Sequence, residues 1–199
     1  MQNKYLLIRH GESQYNEELR YQGWSKRVHL TKQGIEQVKG RIKLVKKFKP
    51  DLVVASPFLR TRQTAEILAG ALKKEVLYSK LIIDYNRSES MEGKLQEEYV
   101  GTKKYKDWLE KADKDWNFHL PDGESYNGFD ARIREFIEIL ESSYDKKKIL
   151  IVSHGDVIRS IIRQYTGREF QRIDVMNVFV CELVPNKKSK GKYILKEVR

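Results

Sequence analysis

The chain has 199 residues, 40% of them hydrophobic and 34% charged, enough to bury roughly 70% of its unfolded surface in one globular domain without disulfides or structural metals. Its single cysteine, Cys181, excludes an intrachain disulfide or a thiolate metal cluster, and no apolar run approaches the ~20 residues that cross a bilayer. The net charge of +11, from 39 Lys plus Arg against 28 Asp plus Glu, points to an anionic ligand, but the lysine pairs are scattered along the chain, so nucleic acid is not the expected partner.

The opening apolar stretch is too short for a signal peptide, which makes a cytoplasmic location the expectation. Residues 4–8 (KYLLI) read as a buried strand that stops at His10-Gly11-Glu12. Thr31 is the expected N-cap of a helix to about Lys47, with Ile35, Val38, Ile42 and Val45 as its apolar stripe. LVVAS (52–56) reads as a second buried strand, and Pro57 as the opening of a helix with Leu59, Ala65, Leu68 and Leu72 inward. Residues 76–78 give a third strand. The stretch from Asp84 to Asp122, rich in charge, Tyr and Trp, breaks this rhythm and is taken as a small inserted helical lobe over the sheet.

From Glu124 a helix is predicted to about Ser143, with Phe129, Ile133, Phe136, Ile137 and Leu140 on its inner face. ILIVS (149–153) is another buried strand, followed by His154-Gly155 and a helix to Tyr165. Phe179, Cys181 and Leu183 alternate on one face of a late strand, with 193–198 as its hairpin partner and 186–192 as the loop. Strands alternating with helices predict one α/β domain over 1–199, a three-layer α/β/α arrangement about a mostly parallel central sheet.

Two strand-end tripeptides carry chemistry: Arg9-His10-Gly11 and Ser153-His154-Gly155. In an open parallel sheet the crevice outside the carboxyl ends of the strands is the usual ligand site, and a helix starting after Gly155 would aim its N–H groups there. Arg60 follows the LVVAS strand toward the same edge. Two guanidinium forks and two imidazoles suit a tetrahedral oxyanion, phosphate above all. Arginines beside an imidazole discourage its protonation and keep a lone pair free to attack phosphorus, while the second imidazole donates to the phosphoryl oxygens. No third ligand at metal-binding spacing accompanies the histidines, so no metal is expected.

The sequence resembles the histidine phosphatase, or phosphoglycerate-mutase-like, superfamily over essentially its whole length. Five blocks carry the resemblance in order: Leu7 to Asn16 (LIRHGESQYN); Gln22-Gly23-Trp24 with Leu30-Thr31-x-x-Gly34; Ala55-Ser56-Pro57-x-x-Arg60-x-x-x-Thr64-Ala65; Asp122-Gly123-Glu124-Ser125; and Val152-Ser153-His154-Gly155-x-Val157-Ile158-Arg159. It implies His10 as the nucleophile that becomes phosphorylated, Arg9, Arg60 and His154 as phosphate-pocket residues, Asn16 as a further donor and Gln22 as a substrate-side contact.

The family's proton-donating Glu follows the third strand in a pattern like L-x-E-x-N-x-G-x-x-E-G. Aligning Asp84-x-Asn86 and Glu92-Gly93 with it needs single-residue insertions and assigns Asp84 as general acid, with Glu89 as the second choice. Lys26-Arg27-Val28-His29 replaces the family's more acidic segment before L-T and predicts a more basic pocket rim. The expected activity is cofactor-free hydrolysis of phosphate monoesters through phosphohistidine. Two rival readings are a 2,3-bisphosphoglycerate-dependent phosphoglycerate mutase and a non-catalytic basic protein that binds phosphorylated ligands or nucleic acid. The expected partner is a small phosphorylated substrate, with phosphoprotein and a homodimer as further options and no membrane.

Overall fold

The computed structural model describes residues 2–167, 174–186 and 193–197. Its first half contains β1 (Lys4–Arg9), α1 (Gln14–Glu17), α2 (Lys32–Gly40), α3 (Ile42–Phe48), β2 (Leu52–Ala55), α4 (Leu59–Leu72) and β3 (Val76–Tyr78). Then come α5 (Gln96–Tyr99), α6 (Lys103–Lys114), α7 (Tyr126–Ser143), β4 (Lys148–Ser153), α8 (Gly155–Thr166), β5 (Val180–Pro185) and β6 (Tyr193–Glu197). The strands form one six-stranded sheet in the order β3-β2-β4-β1-β5-β6. The first four of these pair in parallel, and β5 and β6 add an antiparallel edge.

Successive strand side chains point to opposite faces, and both faces are covered. Tyr5, Leu7, Ile149, Ile151, Cys181 and Leu183 pack with Phe129, Ile133, Ile158 and Ile161 of α7 and α8. Leu6, Ile8, Val53, Ala55, Leu150 and Val152 pack with Val38, Val45, Ala65 and Leu68 of α2, α3 and α4. Burial on both faces is why the central strands are continuous apolar runs. The register sets Arg9 opposite Ser153 and Ala55 opposite Val152, so β1, β4 and β2 end together at one edge of the sheet. Gly11 and Gly34 meet there: a Cβ on Gly34 would lie 2.0 Å from the Glu12 carbonyl oxygen, and one on Gly11 2.6 Å from that of Gly34. Only bare backbone fits between the loop after β1 and the start of α2.

Several boundaries differ from the sequence reading. Thr31 does cap its helix, accepting from the Gly34 amide at 2.9 Å, but the expected run to Lys47 breaks at Arg41 into α2 and α3. Gly40, a poor helix former, sits at the break. Pro57 does not open α4; the Phe58 carbonyl accepts from the Thr61 and Arg62 amides, so the helix starts at Leu59. Likewise α7 begins at Tyr126 because Ser125 caps it, accepting from the Gly128 amide at 3.1 Å. Residues 84–122 hold a 3₁₀ turn at Glu89–Met91, α5 and α6, and no strand. The β5–β6 hairpin is present, whereas loop residues 187–192 and Val198 lie outside the described residues. Among the described residues, no helix is long and apolar enough to cross a membrane.

Candidate active site

His10 and His154 follow neighbouring parallel strands in register, and their rings lie 5.5 Å apart at an angle of 65°. Arg60, in the first turn of α4, reaches the same point, and none of the three side chains exceeds 1% exposure as a residue. The His10 amide donates to the Ser153 carbonyl at 3.0 Å, tying the two strand ends together. His10 Nδ1 lies 2.7 Å from the Gly11 carbonyl oxygen. A carbonyl can only accept, so Nδ1 carries the proton and Nε2 keeps the lone pair. Burial, then the charges of Arg9 and Arg60, hold the His10 pKa well below its ordinary value, which keeps the imidazole neutral at physiological pH.

The arginines are anchored by carbonyls. Arg9 Nη1 donates to Val175 O at 2.6 Å; Arg60 Nη1 donates to Ser25 O at 2.8 Å and Nη2 to Gly23 O at 3.2 Å. Three buried nitrogens of this cluster, Arg9 Nε, Arg60 Nε and His154 Nδ1, have no hydrogen-bond partner. Buried polar groups are nearly always paired, and a tetrahedral anion between these residues would satisfy all three. His154 Nε2 is 2.8 Å from Ser56 Oγ; with the hydroxyl donating to Nε2, the His154 proton resides on Nδ1 and faces the cluster. Burial, followed by the Arg60 charge, also lowers the His154 pKa. Among the described residues, no group of three or more His, Cys, Asp or Glu is placed to hold a metal ion.

Asp84 lies beside this cluster, its Oδ2 at 3.1 Å from Arg60 Nη2 and 3.5 Å from His154 Nδ1. Burial pushes its pKa up to about 6; Arg60 pulls the other way and Asp156 adds to the rise. Its backbone is held by two cationic or polar side chains, since its carbonyl accepts from Trp24 Nε1 and Arg132 Nη2 at 2.9 Å each. Arg132 also donates to the carbonyls of Leu81 and Ile83 at 2.8 Å and pairs with Glu124 at 2.7 Å. Glu89, by contrast, is exposed, on the wall of a second cavity with Lys26 and Arg27. The basic segment Lys26-Arg27 therefore borders that second cavity, of about 520 Å³, rather than the one that holds Asp84.

Asn16 and Gln22 line a cavity of about 320 Å³ together with Asp84. The Ser13 hydroxyl lies 2.9 Å from Gln22 Oε1 and 3.0 Å from Asn16 Oδ1, and Asn177 Nδ2 donates to Asn16 Oδ1 at 3.0 Å. These contacts tie back the side-chain oxygens of both amides. The segment Asp122-Gly123-Glu124-Ser125 clamps the Asp84 loop from behind. Glu124 N donates to Asn86 O, Glu124 Oε1 accepts from Asn86 N at 3.0 Å, and Asp122 Oδ2 accepts from Ser88 Oγ and Ser90 N at 2.8 Å each. A Cβ on Gly123 would lie 2.1 Å from the Arg87 carbonyl oxygen, which is why a glycine stands there. Sequence reasoning missed Ser13, Ser56, Arg87, Arg132, Asp156 and Asn177. Ser13, Ser56 and Asp156 stand inside the quoted blocks, but Arg87, Arg132 and Asn177 carry no local signal.

Two strand-end histidines with Arg9 and Arg60 at one edge of an α/β sheet form a cluster of donors suited to a tetrahedral oxyanion such as phosphate. The family model of the histidine phosphatase superfamily (branch 1) matches residues 5–198. The chain belongs to the histidine phosphatase superfamily and is an enzyme of the phosphatase class. A relative from Bacillus subtilis strain 168, named an uncharacterized phosphatase, PhoE, is 29% identical over 163 residues, covering 81% of this chain and 76% of its own. The phosphoserine phosphatase of Entamoeba histolytica, solved as a mutant with phosphoserine, is 25% identical with a TM-score of 0.82, covering 98% of this chain and 95% of its own. The alpha-ribazole phosphatase of Shigella flexneri shares the fold at a TM-score of 0.83 and 24% identity over 98% of this chain and 95% of that one.

Proposed function

We propose that the protein hydrolyses small phosphate monoesters through a phosphohistidine on His10, without metal or organic cofactor. The observation that carries this reading is the meeting of a neutral, lone-pair-bearing His10 Nε2 with three buried, unpartnered donors from Arg9, Arg60 and His154. In the first step Nε2 forms a bond to phosphorus as the bond to the ester oxygen breaks. The leaving oxygen takes the Asp84 proton, and Arg9, Arg60, His154, Asn16 and Gln22 hold the phosphoryl oxygens. In the second step water gives a proton to the Asp84 carboxylate and its oxygen attacks phosphorus; the P–N bond breaks, returning His10 neutral and releasing phosphate. A carboxyl with a pKa near 6 can serve both steps.

A cytoplasmic location belongs to the same proposal, resting on the single, buried Cys181. Rapid quenching during turnover tests the mechanism. Wild-type protein should carry acid-labile phosphate on His10, and His10→Ala should carry none and lose turnover. An active alanine variant would sink the covalent route. Release of phosphate from a panel of esters equally with and without 2,3-bisphosphoglycerate separates hydrolysis from mutase chemistry.

A further inference from the structure

Arg87 lies on the wall of the 320 Å³ cavity with Asn16, Gln22, Asp84, Tyr99 and Asp156, and neither the phosphate pocket nor the proton donor uses it. Its backbone is fixed by the Tyr21 hydroxyl, which accepts from the Arg87 amide at 2.7 Å. Its guanidinium carbon sits 5.8, 5.3 and 5.9 Å from the ring centres of Tyr21, Tyr85 and Trp108. Aromatic surroundings hold a planar cation in place without consuming its in-plane N–H donors.

The charges of the cavity are unequally committed. Asp84 is paired with Arg60 at 3.1 Å, and Arg20 is bound to Glu18 at 2.5 Å and to the Gly93 carbonyl at 2.7 Å. Asp156 is paired with Arg159 at 2.9 Å and only loosely with Arg87, at 3.7 Å. That loose contact is the one ion pair of Arg87 among the described residues. Arg87 is therefore the cation of this cavity with donors left for a ligand, in a wall that also carries Asp84, the proton donor proposed above.

Resting on the phosphatase reading above, we propose that Arg87 binds an anionic group on the leaving half of the substrate, which is a small alkyl phosphate carrying a carboxylate. The planar fork of one guanidinium matches a carboxylate in a bidentate pair. A second phosphate fits less well, because its double charge would face a single cation with Asp156 beside it.

3-Phosphoglycerate and glycerol 3-phosphate differ only in a carboxylate against a hydroxymethyl group, so their ratio of kcat/KM reads this contact. Wild type should favour the carboxylate ester by about ten- to a hundredfold, mainly through KM, the size of one charge-assisted hydrogen-bonded pair. Arg87→Met should bring the ratio near one, and Arg87→Lys should leave it between. A wild-type ratio near one, or a ratio that Arg87→Met leaves at its wild-type value, overturns the assignment.

Should Arg87→Met fail to fold, the comparison moves to wild type: glycerate should inhibit p-nitrophenyl phosphate hydrolysis at least tenfold more strongly than glycerol, and equal inhibition overturns the proposal. Turnover of p-nitrophenyl phosphate and both esters without preference leaves the phosphatase reading standing and removes only the Arg87 assignment. If no ester is hydrolysed, the phosphatase reading falls and takes the assignment with it.

Discussion

Replacing Asp84 by Asn keeps the size of the side chain and removes its acidic proton. The carboxyl contacts Arg60 and His154 at 3.1 and 3.5 Å, and its pKa of about 6 means that about half of the free enzyme holds the proton at pH 6 and about a tenth at pH 7. General-acid catalysis is worth roughly 10²- to 10⁴-fold, so kcat/KM on an alkyl phosphate should fall by that factor, or about 3–5 kcal/mol of barrier. With p-nitrophenyl phosphate the loss should be much smaller, because the phenolate leaves without a proton. KM for that ester should not rise, since the Arg60 guanidinium no longer shares its charge with Asp84. The pH dependence has a definite sign. Asp84 must be protonated to act, so wild-type kcat/KM on the alkyl ester falls as pH rises through about 6, and this limb should vanish in Asp84→Asn. His10 contributes no limb there, because its pKa lies well below its ordinary value. Exposed Glu89 supplies the control: Glu89→Gln should match wild type on both esters. A leaving-group-dependent loss in Glu89→Gln with a near-normal Asp84→Asn would refute the reasoning, as would an equal loss on both esters in Asp84→Asn.

Other outcomes follow from the same geometry. EDTA should leave phosphate release unchanged; loss of activity restored by a divalent ion would overturn the metal-free mechanism. Asp156→Asn removes a negative charge that raises the Asp84 pKa, so the alkaline limb on a neutral alkyl phosphate should move to lower pH. An unmoved or raised limb would contradict this coupling. Arg132→Met breaks the pair with Glu124 and three hydrogen bonds to the Asp84 loop. It should cost about 3 kcal/mol of stability in denaturant melts, and should slow alkyl phosphate turnover more than p-nitrophenyl phosphate turnover. Equal slowing would mean that Arg132 does not position the acid.

What the sequence by itself determined is local and periodic. Apolar runs marked β1, β2 and β4, because strands buried on both faces need continuous apolar side chains, and a strand end followed by His-Gly marked both halves of the proposed phosphate pocket. Capping chemistry at Thr31 was legible, since the partner lies three residues away. The helix start expected at Pro57 is displaced to Leu59 because Phe58 caps it through backbone geometry alone, with no side-chain bond to read in the sequence, whereas α7 starts at Tyr126 because the Ser125 side chain caps it.

Only the tertiary structure decided the contacts between residues far apart in the chain. Parallel register is what sets His10 beside His154, and the fold carries Asp84 to Arg60 while leaving Glu89 exposed. Gly123 is explained only by the Arg87 carbonyl lying where its side chain would be. The charge of +11 predicts an anionic ligand, but a sum over the chain has no direction. Which arginine is committed and which retains free donors, as with Arg20 and Arg87, is fixed by their neighbours in space, and those neighbours exist only once the chain has folded.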